Sequence, residues 1–236
     1  MKFWKKHEAT LQKAEQKYGV PAQIIVAIIG VETFYGNYMG KYSVLDSLYT
    51  LGFHYPPRAK FFRSELGEFF QLASEEGWDI NSAKGSYAGA MGYGQFISSS
   101  YRYYAVDFDG DGERNLLTNP VDAIGSVANY FAKHKWQAGQ PVAQPLSDDG
   151  NWSTVASEGM KPNTSRKELV DKGFDLPNHE AVSPETNVRV FEFETEESAE
   201  YWLGYDNFYV ITRYNHSPLY AMAVYQFSEQ LRNARQ

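Results

Sequence analysis

The 236-residue chain has no cysteine. That excludes a disulfide framework, a thiolate metal site and a cysteine nucleophile, and it leaves the compartment unreadable from redox chemistry. A basic surplus is missing too. The formal net charge is −7, whereas a nucleic-acid partner needs a basic footprint, and only short clusters such as Lys2, Lys5 and Lys6 occur. The longest apolar run, from Ile24 to Val31, is far too short to cross a bilayer, so no transmembrane segment is expected. The opening MKFWKKHEATLQ lacks the apolar stretch of a secretory signal and reads as an amphipathic helix almost from its first residue, with Trp4, Leu11, Ala14 and Tyr18 on one face. A processed or trimmed start is compatible with that reading. None of the five histidines falls in an HxxxH or HExxH spacing, and no GxSxG elbow, P-loop or dinucleotide fingerprint occurs. Zinc-hydrolase, serine-hydrolase and nucleotide chemistries therefore lack support, and no organic cofactor is expected.

Aromatic residues are abundant. They make up 16% of the chain, with 18 tyrosines and 15 phenylalanines, and suit either a packed core or a groove that stacks on flat ligands such as sugar rings. The length allows one large domain, or a core with a smaller insertion, that needs no covalent staples.

The pattern along the chain is mostly helical. The first helix stops at Tyr18-Gly19, with glycine as a left-handed cap, and Val20-Pro21 opens the next. QIIVAIIGVETFYG is apolar on all sides, the mark of a buried helix. Residues 43–83 read as two helices broken at His54–Pro57, the second carrying Phe61, Phe62, Leu66, Phe69, Phe70 and Leu72. GSYAGAMGYGQF is a glycine-rich loop entering a helix near Gln95. A helix begins at Asn119-Pro120. From residue 140 to about 200 the chain turns polar and proline-spotted, with a strand signal at Val188–Phe193 and a short helical one at Ser165–Lys172. The apolar-aromatic stretch that follows reads as extended up to Tyr214 and helical from Ser217 or Pro218. The expected class is α+β, mostly α: a helical core over 1–139, a small β-containing insertion over 140–200, and a return to the core over 201–236.

Glu32 shares a helix face with Ile25 and Ile28. It is either a structural carboxylate or a general acid whose proton is held by desolvation and handed to a leaving-group oxygen. A glycosidase that activates water in the ordinary way needs a second carboxylate at a set separation. The glycine- and tyrosine-rich stretch has no acid between Asp79 and Asp107. If it lines the groove opposite Glu32, the site holds one carboxylate among hydroxyl and amide groups, although Asp46, Glu65 or Glu68 could reach in. DFDGDGERN is a second signal. Asp107, Asp109, Asp111 and the bend-permitting Gly112 follow the alternate-ligand pattern of an EF-hand loop, but the twelfth position is Thr118 instead of glutamate.

GVETFYG, GSYAGAMGYGQF, VDAIGSVANYF and TRYNHSPLYAMAV, in that order and over nearly the whole chain from Trp4 onward, closely resemble the lytic murein transglycosylase B family. The resemblance is weakest at about 140–200. It implies a lysozyme-like core that cleaves the β-1,4 bond between N-acetylmuramic acid and N-acetylglucosamine of peptidoglycan without adding water. Glu32 matches the single acid/base, which protonates the glycosidic oxygen and then takes the proton of the muramic acid C6 hydroxyl, giving a 1,6-anhydro product. Ser86 and Gln95 match sugar-binding and acid-orienting groups. Tyr130, Tyr214, Asn215 and Tyr220 match saccharide-contacting groove residues, with ordinary core packing as the alternative for each tyrosine. Arg58 matches a basic groove residue, but Pro57 stands where many relatives have a second arginine.

The resemblance further implies closure of the metal loop by Asp122, with the Glu113 carbonyl as another ligand, around a structural Ca2+ or a Na+ in its place. The loop carries one residue more between Asp111 and Asp122 than the family pattern. Further implications are peptidoglycan glycan strands as partner, a monomer, and a periplasmic location with anchoring through a leader outside these residues left open. The rivals are a hydrolytic muramidase on the same fold and an inactive, calcium-stabilised glycan-binding module.

Overall fold

The computed structural model describes residues 1–147, 150–196 and 198–235. The chain divides into two compact units, Met1–Lys133 and His134–Gln236. It is mostly helical with a small β part, as the sequence pattern predicts.

The first unit opens with α1 (Lys2–Lys6) and α2 (Glu8–Tyr18), two helices where one was expected. The break falls at His7 (φ −115°, ψ 24°), whose N–H is shared between the carbonyls of Phe3 and Trp4. Trp4, Leu11 and Ala14 of the predicted face are buried. Gly19 caps α2 in the left-handed conformation at φ 70°, and α3 (Ala22–Thr33) follows Pro21. Every side chain from Ile24 to Ile29 is at most 2% exposed, each large one stabilising the fold by about 1.5–3 kcal/mol. The short strand β1 (Tyr42–Ser43) leads into α4 (Val44–His54), whose first turn is capped by the Ser43 hydroxyl accepting from the Asp46 N–H.

A single 3-10 turn, Pro56–Arg58, separates α4 from α5 (Ala59–Glu75), at the break the two prolines predict. Phe62, Leu66, Phe69 and Leu72 of α5 are buried, while Phe70 is 45% exposed. Strand β2 (Lys84–Gly85) pairs antiparallel with β1. The glycine-rich loop then reaches α6 (Ser98–Tyr104), three residues later than expected. Gln95 lies outside the helix because a two-way backbone bridge between Met91 and Phe96 closes that segment as a tight turn. The unit ends with α7 (Pro120–Lys133), which packs on α2, α3 and α6.

The second unit holds a four-stranded antiparallel sheet. Its members are β3 (Ala143–Pro145), β4 (Thr164–Ser165), β5 (Asn187–Glu194) and β6 (Ala199–Gly204), in the order β3-β6-β5-β4. The short helix α8 (Arg166–Asp171), capped by Ser165, follows β4. Leu146, Trp152, Leu169, Val188, Val190, Leu203 and Tyr205 form one hydrophobic cluster of this unit. Trp152 stacks on Phe174 at 4.8 Å and donates its indole N–H to the Ser147 carbonyl.

Two helices complete the chain, α9 (Asp206–Tyr214) and α10 (Pro218–Asn233). The expectation of extended chain up to Tyr214 holds as far as Gly204, the end of β6, and is corrected from Asp206 onward by α9. Its β-branched and aromatic residues mimic a strand, but Asn207, Phe208, Val210, Ile211 and Thr212 are buried at helical spacing and Asp206 sits in the first turn, where an acid favours the helix dipole. The Ser217 hydroxyl caps α10 by accepting from the Tyr220 N–H, with Pro218 at the first helical position.

Candidate active site

Glu32 is the penultimate residue of α3 and is half-buried, between the exposed Val31 and the buried Thr33. The helix brings it to the rim of the core without sealing it, which is what a carboxylate needs if it is to meet a large ligand. The chain leaves α3 through three consecutive left-handed residues, Phe34 (φ 50°), Tyr35 (φ 62°) and Gly36 (φ 88°). For non-glycine residues such conformations cost about 1–3 kcal/mol each and persist only where surrounding structure imposes them.

That surrounding structure is the glycine-rich stretch. The Thr33 hydroxyl is within hydrogen-bond distance of two carbonyls, Tyr93 at 2.9 Å and Ile29 at 3.1 Å, and accepts from the Gly36 N–H. A Cβ on Gly36 would lie 2.3 Å from the Tyr93 ring, and one on Gly40 would lie 2.0 Å from the Gly85 carbonyl oxygen and 2.5 Å from the Ser86 nitrogen. The Gln95 amide group donates to the carbonyls of Met39 and Gly92. GVETFYG and GSYAGAMGYGQF are therefore bolted together, and the loops that carry Glu32, Ser86 and Gln95 form one assembly. Thr33, Tyr93 and the glycines at 36 and 40 escaped the sequence reading. The run of left-handed residues that needs them carries only one glycine as its signal.

Ser86 is half-buried. Both of its side-chain bonds use the oxygen as acceptor, from the N–H groups of Ala88 and Ala90, which leaves the O–H to donate. Gln95 sits at φ 50° with its amide N–H groups committed to loop carbonyls, so its carbonyl oxygen is the part that can face a ligand. Tyr130 is 7% exposed and packs edge-on against Phe96 and Tyr104 at 5.9 and 4.9 Å. Arg58 is exposed at the end of the 3-10 turn, its guanidinium over the rings of Phe61 and Phe62 at 4.5 and 5.1 Å. In the second unit Tyr214 ends α9, Asn215 is exposed in extended backbone after it, and Tyr220 is in the first turn of α10.

Of the acids that could reach Glu32's site, two are committed elsewhere. Glu65 is 5% exposed and accepts from the N–H and hydroxyl of Ser99, fastening α5 to α6. Glu68 is paired with Arg102, which also binds Glu75. Asp46 is exposed in the first turn of α4, on a cavity of about 380 Å³ lined by Tyr42 and Tyr87.

Two of the three acids that the loop spacing singles out, Asp107 and Asp109, come together, and the third member of the cluster is Asp122. Carboxylate oxygens of Asp107, Asp109 and Asp122 lie within 4.8 Å of one another, with Gly110 (φ 84°) and Gly112 (φ 97°) making the bends. Asp111 and the Glu113 side chain stand outside that set. Asp122 is fully buried, and its oxygens accept from the N–H groups of Phe108 and Asn115 at 2.7 and 2.8 Å. Burial, with some repulsion from Asp109 and Asp107, raises its pKa despite those bonds. Bonds from the Gly112, Gly110 and Asp111 N–H groups hold Asp107 below the usual range. No Lys or Arg pairs with the three acids among the described residues. Three converging carboxylates without a counter-charge, in a loop bent by glycines, fit a hard cation.

A family profile described as "Transglycosylase SLT domain" matches residues 1–229. The membrane-bound lytic murein transglycosylase B of Escherichia coli (strain K12) is 47% identical over 99% of this chain, and the chain spans 63% of that relative's length. The crystal structure of the soluble lytic transglycosylase SltB1 from Pseudomonas aeruginosa superposes with a TM-score of 0.92 at 50% identity, covering 99% of this chain and 77% of that one. The Escherichia coli lytic transglycosylase Slt35 in complex with calcium superposes with a TM-score of 0.90 at 46% identity, covering 99% and 73%. The chain belongs to the transglycosylase SLT domain family.

Proposed function

We propose that this chain is a peptidoglycan lytic transglycosylase that cleaves the MurNAc-β-1,4-GlcNAc bond without water and leaves a 1,6-anhydro end. The observation that carries this reading is Glu32, half-buried at the end of α3 on a backbone held by Thr33, Gly36 and Gly40. It protonates the glycosidic oxygen, then accepts the proton of the muramic acid C6 hydroxyl as that oxygen closes on C1, so one carboxylate serves both transfers. The commitment of Glu65 to Ser99 and of Glu68 to Arg102 supports a site in which neither of these two acids activates water. Ser86 is assigned to the sugar through its free O–H, and Gln95 to holding the Glu32 loop through Met39. Arg58, Tyr130, Tyr214, Asn215 and Tyr220 are assigned to the glycan.

Calcium, which the Slt35 relative binds, is proposed for the loop of Asp107, Asp109, Asp111, the Glu113 carbonyl and Asp122, with Na+ as a substitute and a structural role. The reading further assigns the protein to the periplasm, as a monomer acting on glycan strands. No described helix is long and apolar enough to cross a membrane.

The test is Glu32→Gln with purified peptidoglycan. Turnover should fall by about 10³-fold, within the range for losing a general acid/base, while glycan binding persists. Cleavage that survives the change overturns the assignment.

A further inference from the structure

We propose that the outer edge of β5 in the second unit is a docking site for a cationic, extended peptide segment of a partner protein, which adds to the sheet as a fifth strand. The ladder geometry places the site. β6 turns Gly204, Trp202 and Glu200 toward Arg189, Phe191 and Phe193 of β5, while Leu203 and its alternate neighbours Tyr201 and Tyr205 serve β3 and its flanks. By the two-residue alternation of an antiparallel ladder, the N–H and C=O groups of Val188, Val190, Glu192 and Glu194 point the other way.

β4 covers the first of these, pairing Thr164 with Val188 and Ser165 with Asn187, and then ends. No partner takes up the outward backbone groups of Val190, Glu192 and Glu194 among the described residues. Unpaired edge groups of this kind are a template for another strand.

Three features set this edge apart from a bare rim. It lines a cavity of about 860 Å³ whose wall also includes the Ala156–Gly159 loop and Ser217–Leu219, a volume in the range of ligand sites. The wall is held by Arg189, 7% exposed, which donates to the carbonyls of Lys161, Ser157 and Glu158 and to the Ser157 hydroxyl. The charged side chains that line the cavity are all acidic. Glu158, Glu192 and Glu194 are exposed and none pairs with Lys or Arg among the described residues, while Leu219 stands 68% exposed beside them. Carboxylates on that rim oppose edge-to-edge pairing with a second copy and favour a basic strand. With side chains alternating across the pleat, the segment that fits carries apolar residues facing Phe193 and Leu219 and lysine or arginine facing Glu192 and Glu194.

The test uses the whole chain and two synthetic probes, acetyl-Lys-Val-Lys-Val-Lys-amide and its Glu-Val-Glu-Val-Glu counterpart, and it does not depend on whether the protein cleaves glycan. The basic probe should slow amide hydrogen exchange at Val190, Glu192 and Glu194 by about tenfold or more, and the acidic probe should not. Glu192→Pro removes one outward N–H and leaves the β6 ladder intact, since proline is tolerated with its nitrogen toward the open edge. It should abolish the protection while leaving amide exchange along β6 unchanged. Should that variant fold poorly, Glu194→Lys should weaken the basic probe and strengthen the acidic one. Absence of protection at millimolar basic probe would mean that the glutamates only guard the edge against aggregation, and the proposal falls. Equal protection by both probes, or protection that survives Glu192→Pro, also overturns it.

Discussion

Glu65 and Glu32 are both helix acids that differ in burial, Glu65 being buried within α5 and Glu32 half-buried at the end of α3. Glu65 is 5% exposed and spends its two oxygens on the N–H and hydroxyl of Ser99 at 2.9 and 2.8 Å. Truncating it should leave a buried N–H and hydroxyl unsatisfied, so Glu65→Ala should destabilise the fold by about 2–4 kcal/mol, the bond loss and the cavity combined. Urea unfolding measures this, and a loss below about 0.5 kcal/mol would contradict the structural role. The sequence alone left Glu65 and Glu68 as rivals for a second catalytic acid, because helical spacing says which face a residue shares and not which hydroxyl waits across a gap of 34 positions. Glu32 itself stood out as a candidate, as the acid that ends the apolar run from Ile24 to Val31. Thr33 did not, since its bond to Tyr93 joins positions 60 apart.

The elements nearest Glu32 are held by backbone contact more than by side chains. Gly40 (φ 93°) leaves no room for a methyl against Gly85 and Ser86. Gly40→Ala should therefore cost about 3 kcal/mol or more and cut glycan cleavage beyond what the stability loss explains, because the loops bearing Glu32 and Ser86 would part. A melting curve and a turnover assay under native conditions separate the two effects. A fully active variant of wild-type stability would contradict the clamp. In the second unit the Ser217 cap of α10 is a smaller effect: Ser217→Ala should cost about 1 kcal/mol in denaturant unfolding, and no change would mean that Pro218 alone sets the helix start.

Helix ends of this kind were readable in advance. Gly19, Pro21, Pro56, Pro57 and Pro120 punctuate the chain where the structure does. What misled was α9, where Phe208, Tyr209, Val210, Ile211 and Thr212 have strand propensity, and tertiary burial of one face decided for helix. The start of α6 was misplaced because the Met91–Phe96 bridge, a pairing no local propensity announces, holds Gln95 in a turn.

For the whole molecule, stability should depend on a cation. Asp122 is buried and its pKa raised by desolvation first, and Asp107 and Asp109 converge on it. An ion bound only by the folded chain stabilises it by mass action, so chelator should lower the melting temperature by several degrees and added calcium restore it. An unchanged curve would remove the metal proposal. Asp107, Asp109 and Gly112 were legible from spacing, but the joining of Asp122 rested on the family resemblance, since a first-turn acid has an ordinary dipole reading. That resemblance also supplied the lysozyme-like architecture, which composition alone could not reach: the same aromatic content serves a core or a groove.

The central claim is that one carboxylate, without an acid to activate water, cleaves the glycan. It is tested most directly by mass spectrometry of the soluble products released from purified peptidoglycan. The account predicts fragments ending in 1,6-anhydromuramic acid, and their loss with Glu32→Gln. Reducing ends would contradict it, because they would make water the nucleophile and require a second acid beside Glu32.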